Sequence, residues 1–274
     1  MDWLFKLVVL YVALTILAIV TLYLTALPDS SDATGFSQLT IAHRGDGLNF
    51  PENSLPAIKG AKKLNANAVE VDVMMSSDGV LVAMHDPTLD RTTNGSGLVA
   101  DHTFVELSKL RLKGNSDASI PSLEEVVQLI QELDLKLEIE MKTEIERKYE
   151  ASVKVAQLFE KYKLEKQAFV SSFDPRFLYY LRSENPKIVT ALAIKRHPPY
   201  HKLIEFIIRR DGFVDYLGAG IIEPSVDIAD SAFIEKWLAK GKVINVWTVN
   251  SQREKAVFKN QPITITTDCP GSYC

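Results

Sequence analysis

Residues 41–97 read IAHRGDGLNFPENSLPAIKGAKKLNANAVEVDVMMSSDGVLVAMHDPTLDRTTNGSG. Apolar runs in this stretch end on His43-Arg44-Gly45, Glu70-Val71-Asp72 and His85-Asp86. Strand ends therefore deliver two imidazoles, two carboxylates and a guanidinium to one pocket. Glu70 and Asp72 stand two apart in the run Ala68–Met74, so they point to the same face of a strand. Two carboxylates on one face repel unless a cation lies between them, and a divalent ion with oxygen ligands, Mg²⁺ or Ca²⁺, suits that place. His serves proton transfer at neutral pH, and Arg suits a phosphodiester anion. The inventory predicts metal-assisted phosphoester chemistry. A solvent-facing strand side would carry ordinary charges too, but Val69, Val71 and Val73 make these flanks too apolar for an edge strand.

Further along, Lys136–Met141 offers Glu140 as a third metal ligand, with Glu138 on the same face one layer deeper. Lys142 shares Glu140's face, where its ammonium reaches a phosphate oxygen. Strand-like runs alternate with longer helical patterns, which argues for a parallel sheet. The strand candidates are Leu39–Ala42, Ala68–Met74, Val80–Met84, Lys136–Met141, Ala168–Ser171, Ile188–Leu192, Phe213–Leu217, Val243–Trp247 and Ile263–Thr266. That is one more than a (β/α)₈ barrel needs. Ser77-Asp78-Gly79 reads as a tight turn, so one run is a hairpin arm rather than a stave. Helices are expected over Ser54–Leu64, Leu123–Leu133, Glu144–Lys163, Arg176–Glu184, His201–Arg210 and Ser231–Lys240. Gly, Asn and Ser accumulate between 87 and 119, marking an insertion above the barrel mouth. In such barrels the active site lies at the C-terminal strand ends, where His43, Asp72, His85, Glu140 and Trp247 fall.

Taken in order, His43-Arg44-Gly45, Pro51-Glu52-Asn53-Ser54, Glu70-Val71-Asp72-Val73, Ser77-Asp78-Gly79, His85-Asp86 and Leu89-Asp90-Arg91-Thr92-Thr93 make a pattern. Glu140-Met141-Lys142, Ser172-Phe173, Trp247-Thr248-Val249-Asn250 and Thr267-Asp268 with Pro270 continue it. The chain resembles the glycerophosphodiester phosphodiesterases over nearly all of residues 38–274. The resemblance implies a TIM (β/α)₈ barrel of the phospholipase-C-like phosphodiesterase type. It also implies hydrolysis of glycerophosphodiesters to sn-glycerol 3-phosphate and an alcohol. By it, Glu70, Asp72 and Glu140 hold the divalent cation, His43 and His85 are the acid/base pair, Arg44 and Lys142 contact phosphate, and Trp247 packs on the glycerol. Lysophospholipase D activity on lysophospholipids is the alternative with the same site. Cys269 stands where the family usually has Arg, and Ser54 and Ser77 replace the commoner Thr.

The 274 residues suffice for one such domain of roughly 250 residues behind an N-terminal segment. A net charge of −4 supplies no basic stripe for nucleic acid. Leu7–Pro28 has no charged residue and is long enough to span a bilayer, which takes about 20 apolar residues. A cleaved signal peptide would need a core of only about 7–15 residues and a small-residue site, and none is visible. The expected organisation is an anchor over 1–28, a linker over 29–37 and the catalytic domain over 38–274. Lys6 precedes the span while Asp29 and Asp32 follow it, which places the domain on the extracytoplasmic side. The two cysteines, Cys269 and Cys274, lack redox or zinc spacing and read as ordinary thiols, with a terminal disulfide as the alternative. His102, His197 and His201 read as surface residues. The stripe Leu203, Ile204, Ile207 and Ile208 reads as helix packing on the barrel.

Overall fold

The computed structural model describes residues 2–25, 32–114, 117–196 and 211–271. After α1 (Asp2–Thr25), the first half holds β1 (Thr40–Ala42), α2 (Leu55–Lys63), β2 (Ala68–Met75), β3 (Leu81–Ala83), α3 (Phe104–Leu107), α4 (Leu123–Glu132), β4 (Lys136–Met141) and α5 (Lys148–Tyr162). The second half holds β5 (Ala168–Ser172), α6 (Pro175–Glu184), β6 (Thr190–Ile194), α7 (Asp211–Leu217), β7 (Ile221–Pro224), α8 (Ser231–Ala239), β8 (Val243–Val246), α9 (Gln252–Phe258) and β9 (Thr264–Thr267).

Eight strands run parallel in the order β1-β2-β4-β5-β6-β7-β8-β9, and β9 pairs back onto β1 to close the barrel. β3 lies antiparallel on β2, joined through Gly79 at φ +84°. It is the hairpin arm that the strand count required. Every residue of β2 is buried, as expected of a strand covered by side chains inside the barrel and by helices outside. The register sets Asp72 beside Glu140 and Glu70 beside Glu138. Thus the same-face carboxylates of one strand gain same-face neighbours on the next. Ser54, Ser122, Asp174, Asp230 and Ser251 cap the helices that follow them, each accepting a backbone N–H.

Phe213–Leu217, expected as a strand, is helix α7. The stave is Ile221–Pro224, which the sequence reading omitted. A short apolar run has no period that separates strand from buried helix, and Pro224 argues against a strand unless it closes one, as here. Helix α9 was also not anticipated, although Ser251 and Glu254 form a capping box at its start. Cys269 is buried and disulfide-bonded, which corrects the expectation of two thiols. Oxidation needs only two sulfurs brought together, a condition that motif spacing does not report. Cys274, His197, His201, the helix expected over His201–Arg210 with its apolar stripe, and residues 29–31 of the linker lie outside the described residues.

α1 is one 24-residue helix, and many of its side chains also lie outside the described residues. Among the described residues no helix is long and apolar enough to cross a membrane. The expected insertion contains two isolated bridges, Thr88 to Leu98 and Thr93 to Leu112, and the short helix α3. Buried Leu89, Val99 and Leu107 fasten it to the main core.

Candidate active site

β2 and β4 build the floor of the site. Glu70, Asp72 and Glu140 each present an oxygen within 4.8 Å of the others. Glu70 and Asp72 are 2 % and 0 % exposed, so neither charge is solvated. Burial and the neighbouring Asp72 charge push the Glu70 carboxyl well above its ordinary pKa. Asp72 goes the other way: burial raises it, but Lys142, Arg44 and His85 outweigh that and lower it. Lys142 Nζ meets Glu140 Oε1 at 2.8 Å and Asp72 Oδ1 at 3.1 Å. Burial pulls the ammonium's pKa down, yet Glu140 and Asp72 leave it raised.

Glu70 Oε1 is buried and accepts no hydrogen bond. An orphaned carboxylate oxygen is costly in a protein interior unless a cation meets it. Three clustered carboxylates, one with a spare oxygen, fit a hard divalent ion. Glu138, one register step deeper, does not join them. It accepts from Ser171 Oγ at 2.9 Å and from Asn245 Nδ2 at 3.1 Å, and Asn245 also donates to Glu223 at 3.0 Å.

The β1–α2 loop supplies His43, Arg44, Glu52 and Asn53. Gly45 is required there, because at φ +82° a Cβ would come within 2.7 Å of the Ala57 backbone. Asn53 sits at φ +59°, a conformation Asn tolerates. From it, Nδ2 donates to Asp72 Oδ2 at 2.8 Å while Oδ1 accepts the Asp72 backbone N–H at 3.0 Å. Arg44 donates its backbone N–H to Glu70 Oε2 at 2.8 Å. Its Nη1 donates to Glu52 at 3.2 Å. Nε stands 3.0 Å from Asp72 Oδ2 as an ion pair, without hydrogen-bonding alignment.

Each candidate acid/base histidine has Nδ1 tied to a carboxylate. His43 Nδ1 lies 2.6 Å from Asp268 Oδ1, and His85 Nδ1 lies 2.6 Å from Asp86 Oδ1. Such partners fix the tautomer and leave Nε2 as the working nitrogen. His43 Nε2 is 4.0 Å from Glu70 Oε2. Burial alone would lower the His43 pKa, but the Asp268 bond and the Glu70 charge leave it raised. Asp268 is itself held by Asn250 Nδ2 at 2.6 Å. Both carboxylates are lowered, Asp86 by its bond to Arg91 and Asp268 by its bond to His43.

Trp247 follows β8 and is half-buried. Its Nε1 donates to the Glu223 carbonyl at 2.9 Å, and its ring meets Phe173 edge-on at 5.4 Å. Together they wall a space of about 20 Å³ lined also by Glu70, Glu140 and Glu223. A larger cavity of about 810 Å³ opens from His43, Arg44 and Asp268 toward Leu48, Phe50, Pro51 and Leu112. The structure thus gathers His43, Arg44, Glu70, Asp72, Glu140 and Lys142 in direct or next-neighbour contact. His85 joins through its effect on Asp72, and Trp247 through the smaller space. Arg44 and Lys142, expected on phosphate, stand on carboxylates. His102, expected on the surface, is partly buried, and its Nδ1 pairs with the Leu98 carbonyl at 2.9 Å.

The sequence reading assigned no role to Asn53, Glu52, Asp86, Arg91, Asn250 or Asp268. Adjacency in His85-Asp86 was a signal for one of them. The others stand in motifs of the family pattern, but nothing local showed which side chains they hold.

Residues 43–272 match the model of the glycerophosphoryl diester phosphodiesterase family. The chain is 32 % identical over 248 residues to human glycerophosphodiester phosphodiesterase 1, covering 80 % of this chain and 74 % of that protein. It is 32 % identical over 222 residues to a glycerophosphodiester phosphodiesterase of Bacillus altitudinis, covering 78 % and 86 %. The fold superposes with a TM-score of 0.77 on an Oleispira antarctica phosphodiesterase in complex with the product sn-glycerol-3-phosphate, at 25 % identity and covering 89 % and 97 % of the two chains.

Proposed function

The chain belongs to the glycerophosphodiester phosphodiesterase family and is a phosphoric diester hydrolase, and from that premise we propose that it cleaves glycerophosphodiesters by histidine acid/base catalysis at the Glu70, Asp72 and Glu140 cluster. The observation that carries this reading is the pair of imidazoles, each with Nδ1 fixed at 2.6 Å by a carboxylate, beside that cluster.

One histidine takes the proton of the nucleophile at Nε2, and the other gives its Nε2 proton to the leaving alkoxide. The P–O bond to the alcohol breaks as the new P–O bond forms. The nucleophile is water or the adjacent glycerol hydroxyl, the latter through a cyclic phosphate. Glu70, Asp72 and Glu140 would hold Mg²⁺ or Ca²⁺, which when bound offsets negative charge on the phosphoryl oxygens. Lys142 and Arg44 keep the unloaded cluster neutralised and supply positive charge at its rim. Trp247 and Phe173 give the glycerol an apolar wall.

Lysophospholipase D activity is the second reading. The apolar side of the larger cavity favours it, because Leu48 is 63 % exposed there beside Phe50, Pro51 and Leu112. Such a surface suits an acyl chain. Choline release from glycerophosphocholine and from lysophosphatidylcholine, with Mg²⁺ and Ca²⁺ supplied separately, decides substrate and metal together. Release from neither would reject the function.

We also propose that α1 anchors the enzyme in a membrane with the catalytic domain on the extracytoplasmic side, periplasmic or lumenal. The uncharged run Leu7–Pro28 supports this. The full chain should resist carbonate extraction from membranes, and a chain starting at Ser37 should be soluble and active. Recovery of the full chain in the soluble fraction would reject the anchor.

A further inference from the structure

We propose that Arg91 is a positioning residue, holding the His85 imidazole through Asp86 and holding Arg44 through Glu52. The proposal rests on the reading of His85 as an acid/base group.

Asp86 meets His85 with one oxygen, and both its oxygens meet Arg91. Arg91 Nε donates to Asp86 Oδ2 at 2.6 Å and Nη2 donates to Oδ1 at 2.9 Å. The far edge of the same guanidinium grips Glu52, Nη1 to Oε2 at 2.9 Å and Nη2 to Oε1 at 2.7 Å. Glu52 in turn accepts from Arg44. These bonds use four of the five N–H groups that Arg possesses. Little of the guanidinium is left for a phosphate, so Arg91 acts through its neighbours.

Arg91 is 49 % exposed, and a single ion pair at such exposure contributes little. Two bidentate forks on one planar group are different, because the fork fixes direction as well as charge. The segment that carries Arg91 is itself pinned. Leu89 is fully buried, the Thr93 backbone and side chain bond the Leu89 carbonyl, and Lys113 N–H bonds the Thr92 carbonyl. The insertion therefore delivers a fixed guanidinium between two loops, one carrying His85 and the other Arg44. A lysine ammonium cannot span both carboxylates in this way.

Arg91→Lys and Arg91→Ala in the full chain test the claim. In metal-free protein the His85 Nδ1–H should give a far-downfield proton signal. Arg91→Lys should lose it, and guanidinium ion below denaturing concentration should restore it in Arg91→Ala. On glycerophosphocholine, kcat should fall about 100-fold in both variants, with KM and cation affinity unchanged. Guanidinium, unlike urea, should recover part of that loss in Arg91→Ala. An unchanged His85 signal in Arg91→Lys would overturn the proposal. So would a raised KM with kcat intact, which would make Arg91 a substrate contact. If the wild type cleaves no glycerophosphodiester, the functional reading falls, whereas the ring signal still decides the positioning claim.

Discussion

His43 and Asp268 meet at 2.6 Å across 225 residues of sequence, at the ends of β1 and β9, where the first stave pairs with the last. Closing the barrel is what orients the first histidine.

Asp268→Asn should keep the shape of this contact and remove its charge. kcat should fall by about 100-fold or more, since a neutral amide neither fixes the Nδ1–H tautomer nor stabilises the protonated ring as the carboxylate does. The His43 pKa should also fall, because the Asp268 bond and charge raise it against the effect of burial. Steady-state kinetics with an NMR titration of the ring measure both, and an unaltered kcat would refute the assignment.

Cation binding and turnover should separate. Glu70→Ala, Asp72→Ala and Glu140→Ala should weaken calorimetric binding of Mg²⁺ or Ca²⁺, because each removes an oxygen ligand. His43→Ala and His85→Ala should bind the cation and turn over poorly. Adding cation should raise Tm in the wild type more than in Glu70→Ala, since a ligand held only by the folded state stabilises it. Full activity in both histidine variants would sink the mechanism.

Trp247→Phe tests the glycerol wall with the smaller perturbation. It keeps a ring against Phe173 and loses the Nε1 bond to the Glu223 carbonyl, a loss of about 1 kcal/mol of stability. Trp247→Ala should raise KM for glycerophosphodiesters without changing cation affinity. A purely structural Trp would instead lower Tm by the equivalent of about 3–5 kcal/mol and leave KM per folded molecule unchanged.

Glu223 gives the metal-free chain a pH-dependent stability. Burial raises its carboxyl to about 8 from an ordinary 4.5. Between those values the folded chain holds a proton that the unfolded chain has released, so this group's contribution is greatest in acid and is lost as pH rises through about 8. Glu223→Gln should flatten the fall in Tm from pH about 5 to about 8. An equal slope in wild type and variant would show that Glu223 does not titrate in this range.

Much of the site was legible because it is local. Glu70 with Asp72, and Glu140 with Lys142, share faces by the two-residue period of a strand, and short spacing fixes that without knowledge of the partners. The same logic failed for Phe213–Leu217 and Ile221–Pro224. Both are short apolar runs, and only the sheet decides which one pairs. The count of nine strands was right although one member was wrong.

The sequence by itself determined which atoms exist and which lie side by side on a strand: three carboxylates, two imidazoles and a lysine, in the order of a known family. The tertiary structure decided their company. Asn53 on Asp72, Asp268 on His43 and Arg91 on Asp86 and Glu52 are contacts between loops that meet only once the barrel closes and the insertion packs down. A hydrogen bond requires its atoms within about 3 Å, and no one-dimensional period sets a distance between segments that are far apart in the chain.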